Sequence, residues 1–170
     1  MLKPALILIV ILLTYIAGFG QPTKEKPVLK IKKAKEKIEI DGLLNEADWQ
    51  NAEIAGNFFQ QFPADTSFAI TKTEVRVTYD DNFMYVGAVC YDHNDGKFVV
   101  QSLKRDFSYP VSDAFAIYLD PFDDQTNGFC FGVNPLGVQR EGLLQNGGTF
   151  GVTTDWDNRW YSKVTYETGK

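Results

Sequence analysis

The chain is predicted to form an all-β domain, an antiparallel sandwich of jelly-roll type, on three observations. From Thr73 onward, apolar residues recur with a period of two. The runs are short and are separated by turns rich in Asp, Asn, Gly and Pro, the pattern of sandwiches and barrels. Helical spacing is confined to one short segment around Trp49, and no internal repeat is present.

The elements follow in order. Ile38 to Ile40 read as a strand, Asp41-Gly42 as a tight turn, and Asn45 as the cap of a helical turn carrying Trp49 and Ala52 on one face. Glu46 and Asp48 suit the positive end of that helix, and Trp49 is a core residue. Val75, Val77 and Tyr79 alternate with Glu74, Arg76 and Thr78, a strand with one wet face. Asp80-Asp81-Asn82 turns the chain into Met84 to Tyr91, an almost wholly apolar run expected of a central strand. Residues 92–96 make a polar loop, and Phe98 to Leu103 read as a further short strand. Phe115, Ile117 and Leu119 then share a face, as do Phe129, Phe131 and Val133. Asn134 to Gly137 turn into a strand over Val138 to Leu144. Trp160, Ser162, Val164 and Tyr166 share a face of a last strand, whose hairpin partner is expected to lie beyond Lys170.

The ends are read separately. Lys3, an apolar run of about twelve residues over 5–16, and Gly18 and Gly20 fit a secretory signal over residues 1–20. The run is short for a membrane span, which takes about twenty residues. Residues 21–37, rich in Lys with Pro22 and Pro27, read as a basic linker. Residues 38–170 are then one sandwich, incomplete at its C-terminus. The formal net charge of −5 lacks the basic balance of a nucleic-acid binder. Cys90 and Cys130 lie in apolar runs, compatible with two buried thiols or with a disulfide.

A series of motifs resembles the family 9 carbohydrate-binding modules, in the divergent form found at the N-terminus of large exported bacterial proteins. The motifs are Ile40-Asp41-Gly42 with Glu46 and Trp49; Tyr79-Asp80-Asp81 with Met84-Tyr85-Val86; and Tyr91-Asp92. Lys104-Arg105-Asp106, Ser112-Asp113, Asp120-Pro121-Phe122 and Phe131-Gly132-Val133-Asn134-Pro135 follow in order. Gly137 with Gln139-Arg140, and Trp156-Asp157 with Trp160, complete the run. The resemblance implies a β-sandwich that binds saccharide between aromatic residues, with structural calcium. It further implies a cell-envelope or periplasmic location and an attached glycan-processing or outer-membrane domain as partner. Asp92 matches an acidic position of the family's sugar site, whereas Ala116 and Gly132 stand where an acidic residue and an arginine are expected.

The residues themselves supply candidate chemistry. Sugar rings need an aromatic plane for their apolar face and polar groups for their hydroxyls. Arg105, Asp106 and Tyr109 offer both kinds in one loop, and Trp156 stands in another beside Asp157 and Asn158. Arg105, Asp106, Tyr109 and Trp156, together with Asp92 as the resemblance implies, are the candidate saccharide residues, with Tyr109 and Trp156 as stacking planes. Trp160 fits a core position better. Asp92 and Asp95 in one loop, and Asp120 and Asp123 in another, are candidate calcium ligands, although Asp also makes turns without metal.

Catalysis has little to stand on. His93 is the sole histidine, no Gly-x-Ser-x-Gly elbow is present, and the cysteines lack zinc-like spacing. The expected function is carbohydrate binding by a non-catalytic exported module. Asp113, Glu141 and Asp155 are available carboxylates, but nothing in the sequence places them in one cleft. Two alternatives remain: a packing domain that has lost sugar binding, and part of a glycoside hydrolase whose carboxylate pair is expected beyond Lys170.

Overall fold

A computed structural model describes residues 26–62, 67–91, 97–148 and 151–167. The fold is all-β, with strands β1 (Lys32–Lys33), β2 (Ile54–Ala55), β3 (Thr73–Tyr79), β4 (Met84–Cys90), β5 (Phe115–Leu119), β6 (Gly128–Val133), β7 (Gln139–Leu144) and β8 (Val152–Thr153). One helical turn, α1 (Ala47–Gln50), precedes β2. Among the described residues no helix is long and apolar enough to cross a membrane.

The strands form two four-stranded sheets. In the first, β4 pairs with β3 along its whole length, while β1 and β2 share the opposite edge of β3. All pairings are antiparallel except the short parallel one of β1 with Thr78–Tyr79. The second sheet runs β5-β6-β7-β8, antiparallel throughout. Between β4 and β5 the chain is pinned by a reciprocal pair, in which Val99 N donates to Asp113 Oδ2 at 2.8 Å and Asp113 N donates to Val99 O at 2.7 Å.

The turns follow from their Asx residues. Asp80 Oδ1 accepts the N–H groups of Asn82 and Phe83, closing the β3–β4 hairpin. Asn134 Oδ1 accepts those of Leu136 and Val138, closing β6–β7. Asp120 accepts from Phe122, Asp124 and Gln125, and Asp124 from Thr126 and Asn127, shaping the β5–β6 turn.

Several sequence expectations are corrected. The residue capping α1 is Glu46, not Asn45; it has extended backbone and makes no side-chain cap bond, its carboxylate instead accepting Glu39 N. Part of the expected linker joins the first sheet as β1, where the open edge of β3 satisfies its backbone groups. The face of β3 expected to be wet is covered. Thr78 is only 3% exposed, and Gly87, opposite Arg76, leaves room for Leu44 and Trp49, whose side chains a Cβ there would meet. Trp49 is buried, as expected of a core residue.

The strand β4 is paired on one side only among the described residues, rather than lying in the middle of the sheet. Residues 98–103 contribute one isolated bridge, Val100 with Ser112, instead of a strand. The expected last strand over 160–166 carries no ladder among the described residues. It is held by side chains instead: Thr165 Oγ1 donates to Gly42 O at 2.7 Å, and Tyr166 stacks on Phe98 at 5.3 Å. Both cysteines are free; Cys130 is fully buried, but Cys90 is exposed rather than buried.

Candidate functional site

The second sheet carries two faces of different chemistry, set by its pleat. Pairing of Phe131 with Glu141 and of Val133 with Gln139 puts those four residues, together with Phe115, Ile117, Leu119 and Phe129, on one face. Cys130, Gly132, Arg140, Ala116 and Tyr118 occupy the other.

On the first face two polar side chains of β7 fasten two loops. Glu141 is 1% exposed. Its Oε1 accepts from Arg105 Nη2 and from Asn158 N, and its Oε2 accepts Trp160 Nε1 at 3.1 Å. Two positions earlier, Gln139 Oε1 accepts Arg105 Nη1 at 3.2 Å, and Gln139 Nε2 donates to Ser162 Oγ at 3.0 Å. Arg105 Nη2 also donates to Asp157 Oδ1 at 3.2 Å and to Asn158 O at 3.3 Å. A buried carboxylate needs such partners, since taking a charge out of water costs several kcal/mol. Burial pushes the Glu141 carboxyl up, but the donors Arg105, Trp160 and Asn158 together hold it below the usual carboxylate range. The same contact, led by the Glu141 hydrogen bond, raises Arg105.

Around this network Arg105, Asp157, Asn158, Arg159 and Trp160 line a hollow of about 340 Å³. Arg105 is 44% exposed and Asp157 is 85% exposed, so charge of both signs reaches its mouth. Behind it, Trp160 packs edge-on to Phe131 at 5.4 Å, and Trp156 lies 5.0 Å from Phe129 and 6.0 Å from Phe131. The guanidinium of Arg159 lies 6.0 Å over the Tyr161 ring, and Tyr161 is exposed.

The candidate residues separate accordingly. Arg105 lies in the hollow and Trp156 on the same face. Asp106 has φ 61°, and its N–H donates to Gln139 O at 3.1 Å. There the loop folds over the edge of β7, an act of backbone rather than of carboxylate. Tyr109 consequently lands on the opposite face. Its hydroxyl is 3.3 Å from Cys130 Sγ, Arg140 lies over its ring at 4.9 Å, and a Cβ on Gly132 would strike the phenol oxygen. Burial first, then the bond to Cys130, push that phenol well above its ordinary range. Tyr109 and Trp156 therefore do not bracket one ring.

Asp92 and Asp95 lie outside the described residues. Asp120 accepts three backbone N–H groups and its neighbour Asp124 two, so these carboxylates shape the turn in which Asp123 also lies. Among the described residues no group of three or more His, Cys, Asp or Glu is placed to hold a metal ion.

Sequence reasoning missed Gln139 and Glu141 as builders of the hollow and gave Trp160 to the core. A signal was present: both polar residues fall in register with Leu143, on the face where β6 offers Phe129 and Phe131. A polar pair on an apolar strand face demands partners. No protein-family model, no curated protein and no solved structure matches the chain.

Proposed function

We propose that the chain binds saccharide non-covalently at the hollow beside Trp160, as an exported, non-catalytic module that brings an attached glycan-processing or outer-membrane domain to its substrate. The observation that supports this is the convergence on one open hollow of a guanidinium, an exposed carboxylate, a main-chain amide segment and an indole. Planar polar groups beside an aromatic wall suit a ring whose edge bears hydroxyls and whose face bears C–H groups. Arg105 and Asp157 meet the hydroxyls, Trp160 with Trp156 behind it supplies the apolar wall, and Asp106 and Tyr109 hold the loop. The resemblance to family 9 carbohydrate-binding modules supports the same ligand class. Glu141, the one carboxylate of the network that is buried, has both oxygens engaged, which disfavours the hydrolase alternative.

Calorimetry against neutral mono- and oligosaccharides tests the proposal. Heat at millimolar sugar, lost in Asp157→Ala, is expected; no heat from a folded chain refutes it. The packing alternative draws support from exposed Phe62 (85%), Phe68 and Ile70 (89%) near the Phe59–Phe68 bridge. Replacing Phe62 and Ile70 with Ser raises solubility and leaves the sugar heat unchanged if saccharide binding is the function.

A further inference from the structure

Glu141 joins both loops that build the hollow while being almost absent from its surface. Three groups converge on its carboxylate: the Arg105 guanidinium from one loop, and the Asn158 amide and Trp160 indole from another. All three are donors, so an acceptor bearing a full negative charge satisfies them together. A protonated or amide side chain of the same shape loses one acceptor and turns a donor toward a donor. Gln139 makes the same two loops meet, but with an uncharged side chain, through bonds at 3.0 to 3.4 Å.

We propose that Glu141 is the positioning residue of the hollow: its charged carboxylate sets Arg105, Asn158 and Trp160 in one arrangement, and the binding surface opens when that charge is lost. This rests on the saccharide reading for its ligand but not for its geometry. The charged groups facing Glu141 are Arg105 from the loop before β5 and Asp157 from the segment after β8; Asp106 acts on it through Arg105. Arg140, its neighbour on β7, points to the other face.

The direction with pH follows from the depressed folded carboxyl. Its contribution is complete above the ordinary glutamate range of about 4.3, and it is lost as pH falls through the lower folded value. The hollow is thus released by acid, not by alkali.

The test uses the indole N–H resonances of the chain's three tryptophans, with Trp160 identified by Trp160→Phe. Lowering the pH from 7 to 3 is expected to move the Trp160 resonance with a midpoint below about 4.3, while Asp157→Asn leaves that movement in place. Glu141→Gln is expected to show the acid position already at pH 7 and at least tenfold weaker binding of cellotriose, maltotriose or xylotriose, whichever gives heat with the parent chain. A Trp160 resonance that stays fixed in the parent chain while the Glu141 side-chain carboxyl resonance itself titrates overturns the proposal, and that reading needs no variant to fold. A Glu141→Gln chain with an unchanged indole resonance also overturns it. A titrating indole without heat from any of the three sugars supports the positioning role and overturns the saccharide reading.

Discussion

The two faces of the second sheet are made by the same strands and do opposite things. On one, Gln139 and Glu141 gather loops by charge and hydrogen bonds and leave an open hollow. On the other, Cys130 and Gly132 offer bare backbone and a thiol, and Tyr109 fills the space beneath Arg140. Alternation along β6 and β7 makes the two faces, and the loop over the sheet edge supplies each with different side chains. The lesson concerns neighbours in sequence: Arg105 and Tyr109 are four residues apart, yet the reversal at Asp106 sends them to opposite sides of the sheet. One face is specified by charge, the other by volume.

That contrast can be broken most severely at Arg105. Arg105→Ala strands the Glu141 charge in the interior, so a loss of about 3 kcal/mol is expected. Glu141→Ala, by contrast, leaves a half-exposed guanidinium that water can solvate, and is expected to cost less, about 1–2 kcal/mol. Urea denaturation of both variants checks the order; equal costs would remove the claim that the buried partner sets the asymmetry.

The volume-specified face answers to size. Gly132→Val is expected to expel Tyr109 and cost about 1–3 kcal/mol, as overpacking does. Combined with Tyr109→Ala the penalty should shrink, giving a coupling of about 1 kcal/mol or more in a double-mutant cycle. Additive costs would show that Tyr109 is not what Gly132 makes room for.

The crossing point between the faces is the mildest test. At φ 61°, Asp106→Asn or Asp106→Gly is expected to be near neutral, whereas Asp106→Val costs about 1 kcal/mol or more, measured by the same denaturation. Cost in the Asn variant as well would return the role to the carboxylate.

Much of the second sheet was legible in the sequence. Period-two apolar runs and Asx turns at Asp120 and Asn134 locate β5, β6 and β7, because local chemistry decides them. The first sheet was less so. Thr78, buried beneath Lys32 O, and Gly87, buried under Trp49, depend on contacts from 46 residues away or on a helix packed across strands, which periodicity does not carry. Among the candidate site residues, Arg105 was found because charge next to aromatics in a loop is a visible pattern. Tyr109 and Trp156 were placed together because sequence does not record which way a loop folds over a sheet edge. Glu141 was visible as a carboxylate but not as the centre of a network, since its partners come from 36 residues before it and 17 and 19 after.

The most direct measurement is a residue-by-residue map of amide and indole shifts as a neutral trisaccharide is added to the chain. Shifts concentrated at Arg105 and Asp157 to Trp160, with Tyr109 and Cys130 still, are the expected result. Shifts centred on Tyr109 and Gly132, or none at millimolar sugar from a folded chain, would contradict it.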